Sequence, residues 1–337
     1  MKKLIKVLKV ILILSIIYII LAVLPFARKY NKKNEWRNHD KVLIIPHGGA
    51  KELYPENTLY AFEKTYKYDV FEIDLVLTKD NQLITHHDLN LKMHLGDDYK
   101  NVLVRDKTYG EILELFKNND YPFARNFTKP DGSKPYLNLE KDDDDLNKMV
   151  PTTLRYMFEN YNDKRYILEL KDTLIEEDFV KAVEVLIDLV EEFDMDDKII
   201  VSSFSDDVIK EFKKNSKIHT STATNATFKF VLLSAFNLDF FHKPKDAALI
   251  IPINQKVSKA QANIIKYLPV KHKFMKNENT TDLAQKSLIR NAKRHNMAVI
   301  YWTINDPDEM RLLIELGVDG IITDRPDLLE EILNEYD

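Results

Sequence analysis

Short apolar runs alternate with amphipathic stretches from Lys41 to the end of the 337-residue chain, and this alternation constrains the fold more than any other feature. Stretches such as EDFVKAVEVLIDLVEEF carry apolar residues at helical spacing. The apolar runs are typical of buried strands: KVLII (41–45), FEIDLVLT (71–78), QLITH (82–86), YILEL (166–170), KIIVSS (198–203), AALIIPI (247–253), AVIYWTI (298–304) and GIIT (320–323).

Strands that alternate with helices favour a parallel sheet with helical crossovers. About eight strands within roughly 290 residues favour a closed TIM (β/α)8 barrel over an open doubly wound sheet. We therefore predict one α/β barrel domain over residues 41–330. The segment 89–150 breaks the alternation and contains Pro-Asp-Gly and the acidic run EKDDDD, so we predict an insertion there. The acidic run lacks the glycine and the final glutamate of a calcium loop, which indicates a solvated loop.

Composition excludes several classes of protein. The net charge of -5 argues against an electrostatic nucleic-acid binder, so no nucleic-acid partner is predicted. The chain has no cysteine, which excludes disulfides, thiolate metal sites and a cysteine nucleophile. No GxGxxG or GxxxxGK[ST] motif follows any predicted strand, so a nucleotide-binding loop is missing.

The first residues form a separate unit. After a basic tail (1–9), residues 10–27 carry no charge from Val10 to Ala27 and are long enough to cross a bilayer as a helix. A cleaved signal peptide would need a small-residue site that LPFARK does not offer, and a buried core helix would show a polar face. We predict an uncleaved transmembrane anchor followed by a polar linker (28–40).

Orientation in the membrane is less constrained by the sequence. Positive charges flank the apolar segment in nearly equal number on both sides, so the positive-inside rule does not decide which end lies in the cytoplasm. By analogy with other N-terminal anchors, we predict a single-pass protein of the cell membrane whose large C-terminal part lies outside the cytoplasm. The lipid bilayer is then one partner of the chain.

Two carboxylates share one face of the strand FEIDLVLT. Glu72 and Asp74 are two residues apart and point to the same side, opposite Phe71 and Ile73. In a barrel whose outside is covered by helices, that side faces inward, where paired carboxylates repel each other unless a cation bridges them. A solvent-facing polar side of a half-buried strand is the alternative.

A third carboxylate lies in another apolar strand. Glu169 in YILELK needs a partner if it is buried, and Lys171 shares its face, where it would form a salt bridge or contact an anion. Three carboxylates suit one hard divalent cation, Ca²⁺ or Mg²⁺.

A hairpin turn after Asp74 is predicted to bring a histidine close to it. Asp80 and Asn81 fit a two-residue type I′ hairpin turn. That turn places His87 opposite Asp74 on the inward face and turns His86 away. The resulting strand pair is antiparallel, a local exception in a parallel barrel.

A second histidine follows the first predicted strand directly, in the stretch PHGGAKELYPENT. His47 precedes two of only seven glycines in the chain, Gly48 and Gly49. A tight turn with an incidental histidine explains this pattern, and so does an active-site rim with room for a phosphate.

These motifs, in order, resemble the glycerophosphodiester phosphodiesterase family. The resemblance runs from about Val42 to Leu329 and rests on six segments: HGGAKELYPENTLYAF, EIDLVLTKDNQLITHHD, YILELK, SSFS, YWTINDPDEM and GVDGIITDRPDLL. It implies a TIM barrel with a small insertion, one divalent metal, and hydrolysis of glycerol phosphodiesters to glycerol 3-phosphate and an alcohol.

The resemblance also implies roles for single residues. His47 and His87 match the catalytic pair, and the three carboxylates named above match the metal ligands. Glu56 of PENT matches a glutamate near the site. The family usually has His-Arg-Gly where this chain has His47-Gly48-Gly49, so a phosphate-binding arginine is missing. Lys171, a residue from another loop or the backbone at Gly48 is expected to compensate, and the alternative is an altered substrate preference or weak activity.

The sequence also predicts where three further residues lie. Trp302 is predicted to line the pocket at the top of the barrel. Asp306 fits the start of a helix, whereas Asp324 fits either the site or a helix cap. Three readings of function remain beside the main one: a membrane-anchored lysophospholipase D, a hydrolase of a glycerol-phosphate polymer, and a binding module with weakened catalysis.

Overall fold

The computed structural model describes residues 2–23, 27–37, 39, 41–171, 175–257, 275–277 and 280–336. The chain begins with helix α1 (Lys2–Val23). Residues 2–21 of this helix have a mean hydropathy of 2.7 and are not buried, so by length and composition it can cross a membrane or serve as a signal sequence. The predicted anchor extends to residue 27, and its residues 24–26 lie outside the described residues.

Twelve strands are described, and eight of them form a barrel. The twelve are β1 (Leu43–Pro46), β2 (Val70–Leu77), β3 (Leu83–Thr85), β4 (Arg165–Leu170), β5 (Ile199–Ser202), β6 (His219–Thr220), β7 (Ala248–Ile251), β8 (Asn254–Lys256), β9 (Met275–Asn277), β10 (Thr280–Asp282), β11 (Ala298–Tyr301) and β12 (Gly320–Thr323). The parallel ladders run β2-β4-β5-β6 and β7-β11-β12-β1. Backbone bonds between Thr220 and Ala247 and between Thr222 and Ala248 join β6 to β7, and β1 lies beside β2. The predicted barrel is confirmed.

The eight barrel strands are not the eight predicted ones. The run QLITH forms β3, which pairs antiparallel with β2 outside the barrel, as the hairpin expectation implied. The eighth barrel strand is β6, which was missed because it has only two residues and because a polar sequence, KIHTST, surrounds it. The other seven runs correspond to barrel strands.

The helices described after α1 are α2 (Leu59–Lys64), α3 (Lys92–Leu95), α4 (Tyr109–Asn118), α5 (Pro122–Asn126), α6 (Asp144–Lys148), α7 (Leu154–Asn160), α8 (Glu176–Glu192), α9 (Asp206–Asn215), α10 (Thr224–Ala235), α11 (Lys286–Arg294), α12 (Pro307–Leu316) and α13 (Pro326–Leu333). The helices between the barrel strands pack their apolar faces on the outward side chains of those strands. Phe71, Ile73 and Leu75 of β2 lie in one such cluster with Leu186 of α8. The face of β2 predicted to meet the helices does so.

Residues 89–150 contribute no barrel strand. Helices α3 to α6 of this segment pack with Val76 and Ile84 of the β2–β3 hairpin into a cluster of their own that includes Ile112 and Phe116. Helix α4 begins at a capping box in which Thr108 and Glu111 satisfy each other's backbone N–H groups. The segment therefore forms a small helical layer that covers the hairpin beside the barrel.

The polar segment predicted as a linker packs against the barrel. Trp36 is fully buried and contacts the innermost layer of strand side chains, among them Ile45, Ile167 and Ile300. The side chain of Asn34 donates to the carbonyls of Ala247 and Asn296, at 2.7 and 2.8 Å. These carbonyls lie at the N-terminal ends of β7 and β11, so the segment closes the lower end of the barrel.

Replacing the buried Trp36 should destabilise the whole domain. We expect Trp36→Ala to lower the free energy of unfolding by about 3–5 kcal/mol, because a large buried side chain leaves a cavity that its neighbours cannot fill. Chemical denaturation of the full chain, followed by circular dichroism, measures this. Tyr336→Ala, at a 47% exposed aromatic, is the control and should change stability by less than about 0.5 kcal/mol. Equal stabilities of the two variants would contradict a structural role for residues 28–37.

Candidate active site

Three carboxylates converge at the carboxyl ends of two adjacent barrel strands. In the parallel ladder of β2 and β4, Asp74 is paired with Glu169, and Glu72 lies one inward position below Asp74. One oxygen from each of the three side chains lies within 4.8 Å of the others. Glu72 and Asp74 are almost fully buried. Hard oxygen ligands at this spacing fit a divalent cation such as Ca²⁺ or Mg²⁺.

The electrostatics of this cluster support the same conclusion. Burial, and then the charge of Asp74, raise the pKa of Glu72 well above its ordinary value. Burial alone would also raise the pKa of Asp74, but the ammonium groups of Lys51 and Lys171 outweigh it and lower that pKa. Repulsion among buried carboxylates is thus relieved by lysines in this structure, and a divalent cation would relieve it more fully.

Two lysines contact the carboxylates directly. Lys171 Nζ lies 2.8 Å from Glu169 Oε1 and 3.0 Å from Asp74 Oδ1. Lys51 Nζ pairs with Glu56 and lies 3.5 Å from Asp74 Oδ2. The sequence predicted Lys171 in this place, whereas Lys51 was missed because nothing in a loop lysine distinguishes it from a solvated one.

His47 is held by an aspartate from the neighbouring barrel strand. It starts a short 3₁₀ turn (His47–Gly49) directly after β1, and its Nδ1 lies 2.7 Å from Asp324 Oδ1 at the end of β12. Asp324 is itself fixed by the side-chain amide of Asn305, 2.7 Å away. Burial would lower the pKa of His47, but the hydrogen bond to Asp324 and the charge of Glu72 raise it. Asp324 was expected either to contact the site or to cap the last helix, and in the structure it contacts His47.

His87 reaches the same cavity by a different turn than predicted. The ladder pairs Leu77 with Leu83, and the N–H of His86 donates to the carbonyl of Asp74. His86, not His87, is therefore opposite Asp74, and the predicted two-residue turn is wrong. The loop has three residues, Lys79 to Asn81, because Asn81 adopts a left-handed φ of 57° that closes a longer turn.

His87 enters the site because β3 ends at Thr85 and the chain turns there. The ring of His87 lines the central cavity, and its Nδ1 lies 2.7 Å from Asp88 Oδ1. His86 is buried on the other side, where its Nδ1 contacts the backbone carbonyl of Asp88. Each cavity-lining histidine thus has an aspartate on Nδ1, which leaves Nε2 for proton transfer.

Gly48 contributes through its backbone and through the absence of a side chain. Its φ of +51° is left-handed, and a Cβ there would lie 2.7 Å from the Cε of Lys51. The side chain of Lys51 therefore occupies the space that a side chain at position 48 would need. The N–H of Gly48 donates to Glu72 Oε2 at 2.7 Å, so in this structure it positions a carboxylate.

The PENT loop, which follows β1, holds the cluster in place. Glu56 pairs with Lys51. Asn57, buried with a left-handed φ of 53°, donates its amide to Asp74 Oδ2 at 2.8 Å and accepts from the N–H of Asp74. Thr58 caps helix α2 by accepting from the N–H of Ala61. The sequence pointed to Glu56 only, although a motif as compact as PENT is a signal for its asparagine as well.

One cavity of about 360 Å³ joins these groups. His47, Glu72, His87, Glu169 and Lys171 lie at its polar end. Trp302 lines it as predicted, with its ring edge-to-face against that of Phe204 at 5.4 Å. Asp306 caps helix α12 by accepting from two backbone N–H groups, as expected.

Comparison with known proteins agrees with this geometry. Residues 47–328 match the model of the glycerophosphoryl diester phosphodiesterase family. Two named relatives are similar in sequence. The lysophospholipase D GDPD1 of Rattus norvegicus is 27% identical over 86% of this chain and 85% of its own length. The glycerophosphodiester phosphodiesterase of Caldanaerobacter subterraneus subsp. tengcongensis is 24% identical over 88% and 99%.

A solved structure shares the fold. The glycerophosphoryl diester phosphodiesterase domain of an uncharacterised protein from Mycobacterium tuberculosis superposes with a TM-score of 0.67 at 15% identity, covering 88% of this chain and all of that one. The family match spans most of the barrel and every predicted site residue. The chain therefore belongs to the glycerophosphoryl diester phosphodiesterase family and is a phosphoric diester hydrolase.

Proposed function

We propose that this enzyme hydrolyses glycerophosphodiesters to glycerol 3-phosphate and an alcohol by cation-dependent acid–base catalysis on two histidines. One observation carries the proposal: three carboxylates within 4.8 Å of one another lie in the same cavity as two histidines that are each held by an aspartate. A site for a hard cation beside two proton-transfer groups suits the hydrolysis of a phosphate diester.

Glu72, Asp74 and Glu169 would hold the cation, Ca²⁺ or Mg²⁺. When bound, the cation would supply a Lewis acid for the non-bridging phosphate oxygens. With these three carboxylates and Glu56 ionised, the two lysines leave two net negative charges in the cluster, so a divalent cation would bring the charge to zero. A phosphodiester monoanion would then no longer meet a negatively charged site.

The histidines divide the proton transfers between them. His47, with its pKa raised by Asp324, acts as the base that takes a proton from the attacking hydroxyl. His87 gives a proton to the leaving alkoxide, and its Nδ1 contact with Asp88 orients Nε2 toward the cavity. The two aspartates act as positioning residues, because each touches a histidine and not the reacting atoms.

The lysines take the place of the missing arginine. A cation held by the carboxylates would repel the ammonium groups of Lys171 and Lys51, and both lysines would then be available to a bound phosphate. Lys51 is the direct substitute for a side chain at position 48, since its stem fills that space. Glu56 holds Lys51 in position.

The apolar N-terminal helix supports a location of the enzyme at a membrane. Helix α1 is exposed and apolar over residues 2–21, and we propose that it anchors the enzyme in the cell membrane with the barrel outside the cytoplasm. A glycerol-phosphate polymer or a lysophospholipid are alternative substrates in that location. A binding module with weakened catalysis is the remaining alternative, and the intact set of carboxylates and histidines argues against it.

Removing either histidine should abolish turnover. We expect His47→Ala and His87→Ala to lower kcat for release of choline from glycerophosphocholine by about 10²–10⁴-fold, since each supplies one proton transfer. The assay uses the full chain with calcium, magnesium or manganese added, and chelation with EDTA should stop it. His39→Ala, at an exposed histidine, is the control and should keep full activity. Chelator-sensitive ligand binding without any hydrolysis by the wild type would instead favour the binding module.

Asp324→Asn should shift the pH dependence. The carboxylate raises the pKa of His47, so the imidazole keeps its proton to higher pH and the base form is lost on acidification at a higher pH. Without that carboxylate the pKa of His47 falls, and the acid limb of the profile of kcat/KM against pH moves to lower pH. Asp327→Asn changes the same charge three residues away and should leave the limb in place. A limb that does not move in Asp324→Asn would refute His47 as the base.

Lys51→Met should weaken phosphate recognition. Loss of a charge-assisted hydrogen bond is worth about 1.5–3 kcal/mol, so we expect kcat/KM for glycerophosphocholine to fall about 10- to 100-fold. Inhibition by glycerol 3-phosphate should weaken in parallel. The exposed Lys67→Met serves as the matched control. Unchanged inhibition in Lys51→Met would leave Lys171 as the sole phosphate-binding lysine of the proposal.

A further inference from the structure

The turn between α10 and β7 carries an exposed apolar surface. Phe241, in the short turn Asp239–Phe241, is 66% exposed, the largest exposed fraction of any large apolar side chain among the described residues. Its ring contacts that of Phe240, with 4.4 Å between the ring centroids. Phe236, Leu238 and Phe240 of the same stretch are only half-buried. Apolar side chains that are left uncovered together mark a surface that meets a partner or a membrane.

This turn contacts the helix that can cross a bilayer. The turn lies against α1, and Tyr18 Oη of α1 donates to the carbonyl of Phe236, just before the turn, at 2.7 Å. Tyr18 lies within the uncharged stretch 10–27. When α1 crosses a bilayer over that stretch, a surface that touches it beside Tyr18 meets lipid and not bulk water. Apolar surfaces at such an interface enter about 5–10 Å into the boundary between headgroups and acyl chains.

One buried histidine fixes the turn relative to the chain that leaves α1. His295 is fully buried, and its Nε2 lies 3.3 Å from Asp239 Oδ2 in the turn. Its Nδ1 lies 2.5 Å from the carbonyl oxygen of Arg28, and its own carbonyl accepts from the N–H of Tyr30. The end of the apolar N-terminal segment and the exposed turn are therefore held by the same residue, so their positions relative to each other are set.

The charges around the turn suit anionic lipid. Of the charged side chains in residues 236–246, the exposed ones are Lys243 and Lys245. The two aspartates of this stretch are buried and paired. Lysines beside inserted apolar side chains lay their stems along hydrocarbon and keep their ammonium groups among lipid phosphates. The surface therefore combines an apolar tip with a positive border.

The turn lies at the end of the barrel away from the active site. His295, which holds the turn, follows α11 and precedes the start of β11, at the end that residues 28–37 close. Phe204, 58% exposed, marks the opposite end, because it follows the carboxyl end of β5 and lines the active-site cavity beside Trp302. A bilayer at Phe241 therefore leaves the mouth of the cavity facing water.

We propose that the turn with Phe241, together with Lys243 and Lys245, is a second membrane contact of the enzyme, which docks the lower end of the barrel on an anionic bilayer and holds the active site facing away from it. Phe240 and Phe241 enter the boundary between headgroups and acyl chains beside α1, and the two lysines bind lipid phosphates. This inference rests on the membrane anchor of the proposed function and adds to it a contact made by the barrel itself.

A label at position 241 tests the contact, because the chain has no other cysteine to react. The full chain with Phe241→Cys is labelled with a nitroxide and reconstituted into vesicles of phosphatidylcholine and phosphatidylglycerol. Electron paramagnetic resonance then measures collisions of the label with dissolved oxygen and with a water-soluble nickel chelate. We expect oxygen to dominate, as it does about 5–10 Å below the headgroup boundary.

Phe204→Cys is the matched control, since it makes the same change at a similarly exposed phenyl ring on the opposite end of the barrel. The nickel chelate should dominate there. Chelate-dominated collisions at both positions, or an immersed label at position 204 with a water-exposed one at position 241, would overturn the docking surface.

Replacing the two lysines tests the attraction to anionic lipid. In the labelled Phe241→Cys chain, Lys243→Gln and Lys245→Gln should each lower the ratio of immersed to water-exposed label about fivefold, the contribution of one lysine near an anionic surface. In vesicles of phosphatidylcholine alone this loss should disappear. Lys100→Gln, at an exposed lysine of the insertion, is the control and should leave the ratio unchanged. The same loss in neutral vesicles, or in Lys100→Gln, would overturn the two lysines as a lipid contact.

A carbonate wash of the vesicles separates this inference from the anchor. A chain that washes off contradicts the anchor and the docking surface together. A chain that stays on the vesicles while the label at position 241 contacts water overturns the docking surface alone. Turnover enters neither measurement, so a failure of the proposed hydrolysis is distinguished from a failure of the docking surface.

Discussion

Repulsion among three carboxylates, of which Glu72 and Asp74 are buried, is the constraint on which the site depends. Adjacent parallel strands bring Asp74 and Glu169 side by side at the carboxyl ends of β2 and β4, where the barrel wall excludes water. Charges of one sign at this spacing in a medium of low dielectric need positive neighbours. Lys51 and Lys171 supply them in this structure. The positive neighbours thus offset in this structure a repulsion that a divalent cation would offset more fully.

The remaining parts of the fold place groups around that cluster. Turns after β1 and β3 bring His47 and His87 into the same cavity, and Asp324 and Asp88 fix their rings. The buried Trp36 closes the opposite end of the barrel, and the cavity that the two histidines line opens at the carboxyl ends of the strands, the usual place for a site in this architecture.

The sequence predicted the barrel and the carboxylates well because both depend on short-range periodicity. Alternation along β2 alone separates Glu72 from Phe71, and apolar runs mark seven of the eight barrel strands. Prediction failed where tertiary context decides. The two residues of β6 are too few to show a pattern. The left-handed Asn81 makes the hairpin loop one residue longer than predicted, so His86 and not His87 lies opposite Asp74. Lys51, Asn57 and Trp36 escaped notice because their partners lie far away in sequence or because polar neighbours hide them.

The most direct test of the account is to locate the cation. Crystals of the enzyme grown with Mn²⁺, a divalent substitute with anomalous scattering, should show one ion whose ligands include Glu72, Asp74 and Glu169. Lys171 should then have moved away from Asp74, because the ion takes over its role. An ion bound elsewhere, or no ion at millimolar Mn²⁺ while both lysines keep their contacts with the carboxylates, would contradict a cation-dependent site at this end of the barrel.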